Sequence, residues 1–551
     1  MGLLTNTTQT GSMVRWREYL TVSPTGGAAA TAFPLATDAA LSALQAGGNA
    51  VDAAVAAAWT LSVCEPSASG LGGQSTLLIY RSDGTTFIID GHSYAPSGAS
   101  IDTVSERQQR VGHRACTVPS TPATLEYAQR KYGVLPRAAV FEPAIEAAEE
   151  GYAITPLQRR QAGWFGRQMR VSPGIAKLFL VDGAPPPVGH VLRQPELART
   201  LWRLATEGAG DFYRGEIAQK IVNDMQRNGG LLNADDLASC SLPVEREPLE
   251  TSYRGLRVLS APSPGGGRNL LFALKLIEQL LPGGIDSADD DIWHEAIALA
   301  TYCTFRQRDR KATQSYGRVD ETADELPSEA EIRRLVKQLH RQGALLQMDG
   351  DEGPGDTTHL TVADAEGNVV ALTQSIQSVF GAKVAHPELG FAYNNYLWTC
   401  PRYSHPNQLA PGSMPRSNAA PTIITEQREG RSNPILAVGA AGSRRIISAL
   451  LQTISQVIDR GRAIEEAVAA PRLHGLVSGK VWIEEDIATR DMLARLRQRF
   501  TEIQIKPPRS FGMGCVQGLQ WLPDGMIVAA ADPRRDGTGV TLNSSCEMEI
   551  A

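Results

Sequence analysis

No Cys-x-x-Cys pair occurs in this 551-residue chain, and its seven cysteines are scattered from Cys64 to Cys546. The common zinc spacings and a disulfide framework are thereby excluded, and free thiols in a reducing compartment are expected. The chain also lacks an 18-residue apolar run free of charge, so no membrane span is expected. Its start, "MGLLTNTTQTGSMVRWREYL", lacks the basic-then-apolar order of a signal peptide, which points to the cytoplasm. Neither sign of charge dominates. The formal net charge is -6, with no dense Lys/Arg stripe, so nucleic acid is not an expected partner. The run Pro264 to Arg268 lacks the Gly-Lys-Ser/Thr ending of a phosphate cradle and reads as a loop. "GMGCVQG" (Gly512 to Gly518) misses the dinucleotide fingerprint by one position, and neither His-Glu-x-x-His nor Gly-x-Ser-x-Gly occurs.

What is present suits a large globular core: 42% hydrophobic and 20% charged residues, with 52 glycines and 33 prolines to turn the chain. From Pro34 to Pro66 the pattern is helical and alanine-rich, broken at Gly47-Gly48. Asn49 is the expected N-cap of the second helix, with Asp52 in its first turn. "STLLIY" and "TTFIID" read as a hairpin turning at Asp83-Gly84. Helices dominate from about Thr121 to Gly343. Strands return from Thr357, with helices near "SRRIISALLQTISQVID" and "IEEAVAAPRLH". Strands at both ends and helices between predict a layered α/β protein with antiparallel sheets.

One stretch raises a chemical question. "TTHLTVAD" and "NVVALTQS" form a hairpin joined by Ala365-Glu366-Gly367, preceded by the acidic, glycine-rich "QMDGDEGPGD". A three-residue loop wants a left-handed residue at its third place, and Gly367 sits there. In that register Asp364 faces Asn368, His359 faces Thr373 and Thr357 faces Ser375, whereas a two-residue loop would put Ser375 on the other face. Taken alone, a pair of facing hydroxyls merely stabilises a sheet. A threonine hydroxyl needs a base to attack. Its own α-amine can serve if the chain is cut before it. Such an amine has a pKa of roughly 7.7–8.0 and accepts protons near neutrality. The loop would then present the Asp356–Thr357 bond to the Thr357 hydroxyl.

With "TTHLTVADAEGNVVALTQS" stand "GGNAVDAAVAAA", "SGLGG", "VFEPAIEAAEEGY", "FYRGEIAQKIV", "GGLLNADDLA", "YNN", "APTII" and "GAAGSRRI". In this order the chain resembles the γ-glutamyltransferase (glutathione hydrolase) family of N-terminal-nucleophile hydrolases, from about Ala28 to the C-terminus. The resemblance implies an αββα sandwich of two stacked, mainly antiparallel sheets flanked by helices. It implies no cofactor and no metal. It also implies self-cleavage of a small-molecule amidase: residues 1–27 an N-terminal extension, 28–356 a large subunit ending in the processing loop, and 357–551 a small subunit that stays associated with it.

Residue by residue, the resemblance makes Thr357 the nucleophile and Ser375 a hydroxyl that bonds it. Gly442 and Ser443 match a glycine pair whose N–H groups form an oxyanion hole, where backbone donors do not require glycine. Ser417 and Asn418 match a Ser-Ser pair that holds the substrate α-carboxylate, and Gln377 replaces a substrate-contacting asparagine. Thr373 joins the binding set. Two departures stand out. His92 takes the place of the arginine that pairs with the glutamyl α-carboxylate, and Thr399, after Trp398, that of the aspartate for the α-ammonium. His92 lacks the bidentate fork of arginine. Arg416, Arg444 or Arg445 are candidate substitutes for the cation. Asp52 and Glu65 are candidates for the carboxylate, although a structural role is the better expectation for both. Trp398 and Tyr396 either line an acyl pocket or cover the mouth of the sandwich, and Pro401 to Ser413 lies where relatives carry a lid. An acylase-like activity on dicarboxylic or modified glutamyl amides is the expectation. The alternatives are an ordinary glutathione hydrolase with relocated charges and an unprocessed, non-catalytic member.

Overall fold

The double glycine does part the first two helices, Pro34–Gln45 and Ala50–Cys64. Asn49 caps the second by accepting from the N–H groups of Val51 and Asp52. Asp52 completes the capping box and also accepts from the Val134 N–H at 2.8 Å. It is a buried structural carboxylate tying a helix start to a loop, which accounts for its place in the first turn. All fifteen residues of the Ala50–Cys64 helix are buried. Its alanines let it lie close to the sheet beneath, and Trp59 stacks on Phe141 with centroids 4.5 Å apart.

The computed structural model describes residues 21–22, 26–240, 243–283, 290–308, 324–341, 343, 345, 355–403, 405, 407–428 and 430–542. The start of the chain through residue 20 and most of the acidic loop lie outside the described residues; of that loop's end, Gly355 and Asp356 are described.

Two seven-stranded antiparallel sheets form the centre. In one, the order is Thr538–Leu542, Gly27–Thr31, Thr358–Asp364, Val369–Ser375, Gln74–Tyr80, Thr86–Gly91 and Val244–Arg246. In the other it is Thr21–Val22, Ile527–Ala531, Cys515–Trp521, Arg431–Ala441, Thr422–Arg428, Leu256–Ser260 and Leu249–Tyr253. Thr21–Val22, within the expected N-terminal extension, thus pairs with Ile527 and Val528.

Side-chain alternation then sorts the core into three layers. Leu77, Ile79, Leu360 and Val362 face the first helices. Leu78, Tyr80, Ala363, Ala371, Ile423, Ala437 and Leu519 meet between the sheets, where small residues dominate. Val438 and Ala440 face the helices Gly267–Leu280, Asp290–Arg308 and Arg445–Ile458. The result is helices, sheet, sheet, helices: an αββα sandwich. Six of the cysteines are described, all free and buried. Among the described residues no helix is long and apolar enough to cross a membrane.

Candidate active site

The central hairpin adopts the three-residue loop. Gly367 has φ +90°, the Asp364 N–H donates to the Asn368 carbonyl, and His359 pairs with Thr373 and Thr358 with Gln374. Continuing the ladder one step puts Thr357 across from Ser375. The Thr357 hydroxyl donates to the Asp356 carbonyl oxygen at 2.7 Å and lies 3.1 Å from Ser375 Oγ. Ser375 donates to the same carbonyl at 3.0 Å and accepts from the Gln377 N–H at 2.9 Å. Two buried hydroxyls therefore converge on the carbonyl of one peptide bond.

That peptide is clamped on both sides. The Asp356 N–H donates to the Gln377 carbonyl at 2.9 Å, and Gly355 bridges to Ser378. The Asp356 carboxylate accepts from the Thr357 N–H at 2.9 Å and from Gln161 Nε2 at 3.3 Å, and it ion-pairs with Arg535. Arg535 also holds Glu65 at 2.5 Å and lies over the Phe511 ring, 5.0 Å from its centroid. Burial raises both carboxyls above the usual range, with Arg535 opposing the shift. Lys383 sits nearby. It donates to Ser378 Oγ at 2.9 Å and to the Gly381 carbonyl at 2.8 Å, and burial lowers it to about 7 against the pull of Asp356.

On the far side of the peptide lies the turn before the Arg445–Ile458 helix. Gly442 has φ +122° and Ser443 φ +56°. Among the described residues, the N–H groups of Gly442 and Ser443 have no hydrogen-bond acceptor. They stand at the N-terminus of a fourteen-residue helix, where free N–H groups and the helix dipole favour negative charge. Gly355 presses on this turn: a β-carbon built on it would come within 2.3 Å of Ser443 Cβ.

The expected substrate residues divide. Ser417 is buried, its N–H donating to the Pro264 carbonyl, and Gly266 packs on the Asn418 backbone. The glycine run from Pro264 to Arg268 is thus the bed of the Ser417–Asn418 turn. Tyr396 reaches Ser375, Ser417 and Gln74 with its hydroxyl, contacts that partly offset burial, which pushes it up to about 12. It thereby ties the Ser417 turn to the hairpin. Gln377 adopts φ +83° and lends its backbone to the Asp356 clamp. His92 is buried, its Nδ1 2.5 Å from Asp90, which Arg246 grips at 2.8 Å. Burial pushes Asp90 up, but His92 and Arg246 together outweigh it and hold this carboxyl far below the usual range. His92 Nε2 has no partner among the described residues.

Three residues are turned away. The Thr373 hydroxyl meets His359 Nδ1 at 2.9 Å between the sheets, Thr399 donates to its own turn at Tyr396, and Trp398 lies under Arg110. Arg416 donates to the Thr399 carbonyl, and Arg444 and Arg445 lie over Phe305 and Trp482. Sequence reading missed Gln74, Gln161, Lys383 and Arg535. No short motif marks them: Gln161 and Arg535 act across the fold, and Lys383 is bonded locally while its charge acts on Asp356. Among the described residues no group of three or more His, Cys, Asp or Glu side chains could hold a metal ion.

A family model described as Gamma-glutamyltranspeptidase matches residues 36–542. The chain belongs to the gamma-glutamyltranspeptidase family. Within it, the chain is 32% identical over 535 residues to the Acylase ACY 1 proenzyme of Pseudomonas sp. (strain SE83), covering 94% of each. It is 30% identical over 546 residues to the Glutathione hydrolase proenzyme of Escherichia coli (strain K12), covering 92% of this chain and 90% of the other. The crystal structure of cephalosporin acylase from Bacillus halodurans superposes with a TM-score of 0.84 at 28% identity, covering 98% and 99% of the two chains. The αββα sandwich is therefore the N-terminal-nucleophile hydrolase fold of gamma-glutamyltranspeptidases and acylases, and the protein is an enzyme of that family.

Proposed function

We propose that this gamma-glutamyltranspeptidase relative is a self-processing amidohydrolase or acyltransferase whose nucleophile is Thr357. The carrying observation is the convergence of the Thr357 and Ser375 hydroxyls on the Asp356 carbonyl. In the first cycle Thr357 Oγ1 bonds to the Asp356 carbonyl carbon, the C–N bond breaks, and the threonine nitrogen gains the hydroxyl proton. Water then hydrolyses the ester, leaving Asp356 as a carboxy terminus and Thr357 with a free amine and hydroxyl. In later cycles that amine takes the hydroxyl proton while Thr357 attacks a substrate amide. The amide nitrogen leaves with the proton, and water or an amine takes the acyl group. Gly442 and Ser443 are suited to stabilise the oxyanion of these later cycles.

The acyl group is not a glutamyl head with both charges free. His92 and Thr399 replace the two charged contacts implied by the family resemblance, and Arg416 is bonded to the Thr399 carbonyl. A substrate charge left without its partner on burial costs several kcal/mol. An acylase action on dicarboxylic or modified glutamyl amides fits better, and the acylase names among the relatives support it.

Intact mass of the purified protein tests the first half. Two fragments meeting at Asp356/Thr357 are expected, and one uncut mass in Thr357→Ala. Cleavage surviving that substitution refutes the nucleophile. For the second half, γ-glutamyl, glutaryl and neutral acyl anilides are offered side by side. Turnover of the γ-glutamyl compound alone refutes the acylase reading and favours the glutathione hydrolase one.

A further inference from the structure

Before cleavage the Asp356 side chain fills a built carboxylate site. Arg535, Gln161 and the Thr357 N–H all contact it, and Asp356 is fully buried. Arg535, Gln161 and Lys383 are themselves more than nine-tenths buried. Arg535 keeps one further donor, Nε, unpartnered among the described residues. The acids around the site are Glu65, Asp356 and Asp536, and the cations that act on them are Arg535, Lys383, Arg445 and Arg160.

Asp356 is also the acyl group of the first cycle, since Thr357 attacks its carbonyl. A second acyl group can reach the same hydroxyl only if Asp356 moves out. Its departure takes a carboxylate partner from Arg535 and Gln161, in a buried place where an uncompensated charge is costly. A donor fork set for one carboxylate remains.

We propose that Arg535 and Gln161, with the Lys383 charge nearby, then receive a carboxylate on the acyl group of the substrate, two carbons from the scissile carbonyl, as in a succinyl amide. The spacing is that of Asp356, whose carboxyl carbon is separated from its carbonyl carbon by Cα and Cβ. This rests on the reading of Thr357 as the nucleophile of a processed enzyme. It narrows the acyl class to short dicarboxylic acids, with glutaryl one methylene too long for the same contacts.

The experiment is titration calorimetry with succinate and butyrate on the processed enzyme and on the Thr357→Ala precursor, in which Asp356 stays in place. The processed enzyme is expected to bind succinate at least tenfold more tightly than butyrate, and the precursor to bind neither. Gln161→Leu, examined in whatever fraction processes, is expected to lower the succinyl-over-butyryl ratio of anilide kcat/KM about tenfold. Equal binding of succinate and butyrate, or equal binding of succinate by both proteins, overturns the inference while leaving the acylase reading intact. A chain that never cleaves, seen as one band on a denaturing gel, overturns the reading and the inference together.

Discussion

Gly355 lies directly on Ser443. A β-carbon on Gly355 would stand 2.3 Å from Ser443 Cβ and 2.7 Å from its Oγ. The segment proposed to be cut is thus pressed onto the turn proposed as the oxyanion hole, and glycine is required there by the close approach of two backbone segments.

Gly355→Ala should displace Asp356 from the Thr357 hydroxyl and slow self-cleavage at least tenfold, since small misplacements of reacting groups are costly. Ser443→Gly in the same chain removes the obstructing atoms, and Ser443 already has φ +56°, a conformation glycine adopts freely. The double variant should therefore recover most of the cleavage rate, read as band conversion over time. Failure of the rescue would show that Gly355 matters for another reason.

Ser375→Ala should slow both cleavage and turnover by a factor of about 100 or more, the usual effect of removing one donor from a developing oxyanion. Ser375 donates to the Asp356 carbonyl and stands beside the nucleophile. Ser375→Thr keeps the hydroxyl and should retain most of the rate. Single-turnover kinetics on the two variants checks this, and equal loss in both would point to packing instead.

His359 carries the acid sensitivity of the fold. It is buried between Thr373 and Thr361, against Gly439, and burial lowers it to about 3. The unfolded chain binds a proton near pH ~6.5 that the folded chain refuses until about 3. Stability is therefore full above pH ~6.5 and is lost as pH falls through that window. At pH 5 this one group costs about 2 kcal/mol. His294, lowered to about 4 by burial, acts in the same direction. Urea unfolding of the uncut Thr357→Ala chain at pH 7 and pH 5 should show the loss, and His359→Gln should flatten it.

Two buried carboxylates near the first helices should behave oppositely. Asp52→Ala removes acceptors from the N–H groups of Asn49 and Val134 and should cost about 1–3 kcal/mol. It should leave cleavage and kcat within about twofold, since its partners are a helix start, the loop at Val134–Leu135 and Gln129, none of which touches Thr357 or Asp356. Glu65→Gln alters the partner of Arg535 and should slow cleavage more than it lowers the melting temperature. Thermal unfolding and a cleavage time course on both variants separate the two roles.

Much of this was legible in short stretches of sequence. The Gly47-Gly48 break, the Asn49 cap, the Asp83-Gly84 turn and the hairpin register through Gly367 each follow from a few neighbouring residues. The register alone placed Ser375 opposite Thr357. The substrate-facing residues were read less well. Thr373 shares the face of Ser375, yet His359 takes its hydroxyl, because two residues deeper along a strand is already the closed space between sheets. Thr399 sits in a tight turn whose own carbonyl satisfies it. Nothing in the local pattern distinguishes such a threonine from one that meets a substrate.

The sequence by itself determined the hairpin register and the pair of hydroxyls at its open end, since turn chemistry and period-2 pairing act over a few residues. Only the tertiary structure decided what surrounds the Asp356–Thr357 peptide. Glu65 and Arg535 meet across 470 positions, Arg535 and Asp356 across 179, and Gln161 and Asp356 across 195. The two sheets and the first helices bring them to one place, and burial there forces each charge to find a partner. That requirement belongs to the packed interior and leaves no mark on any single stretch of sequence.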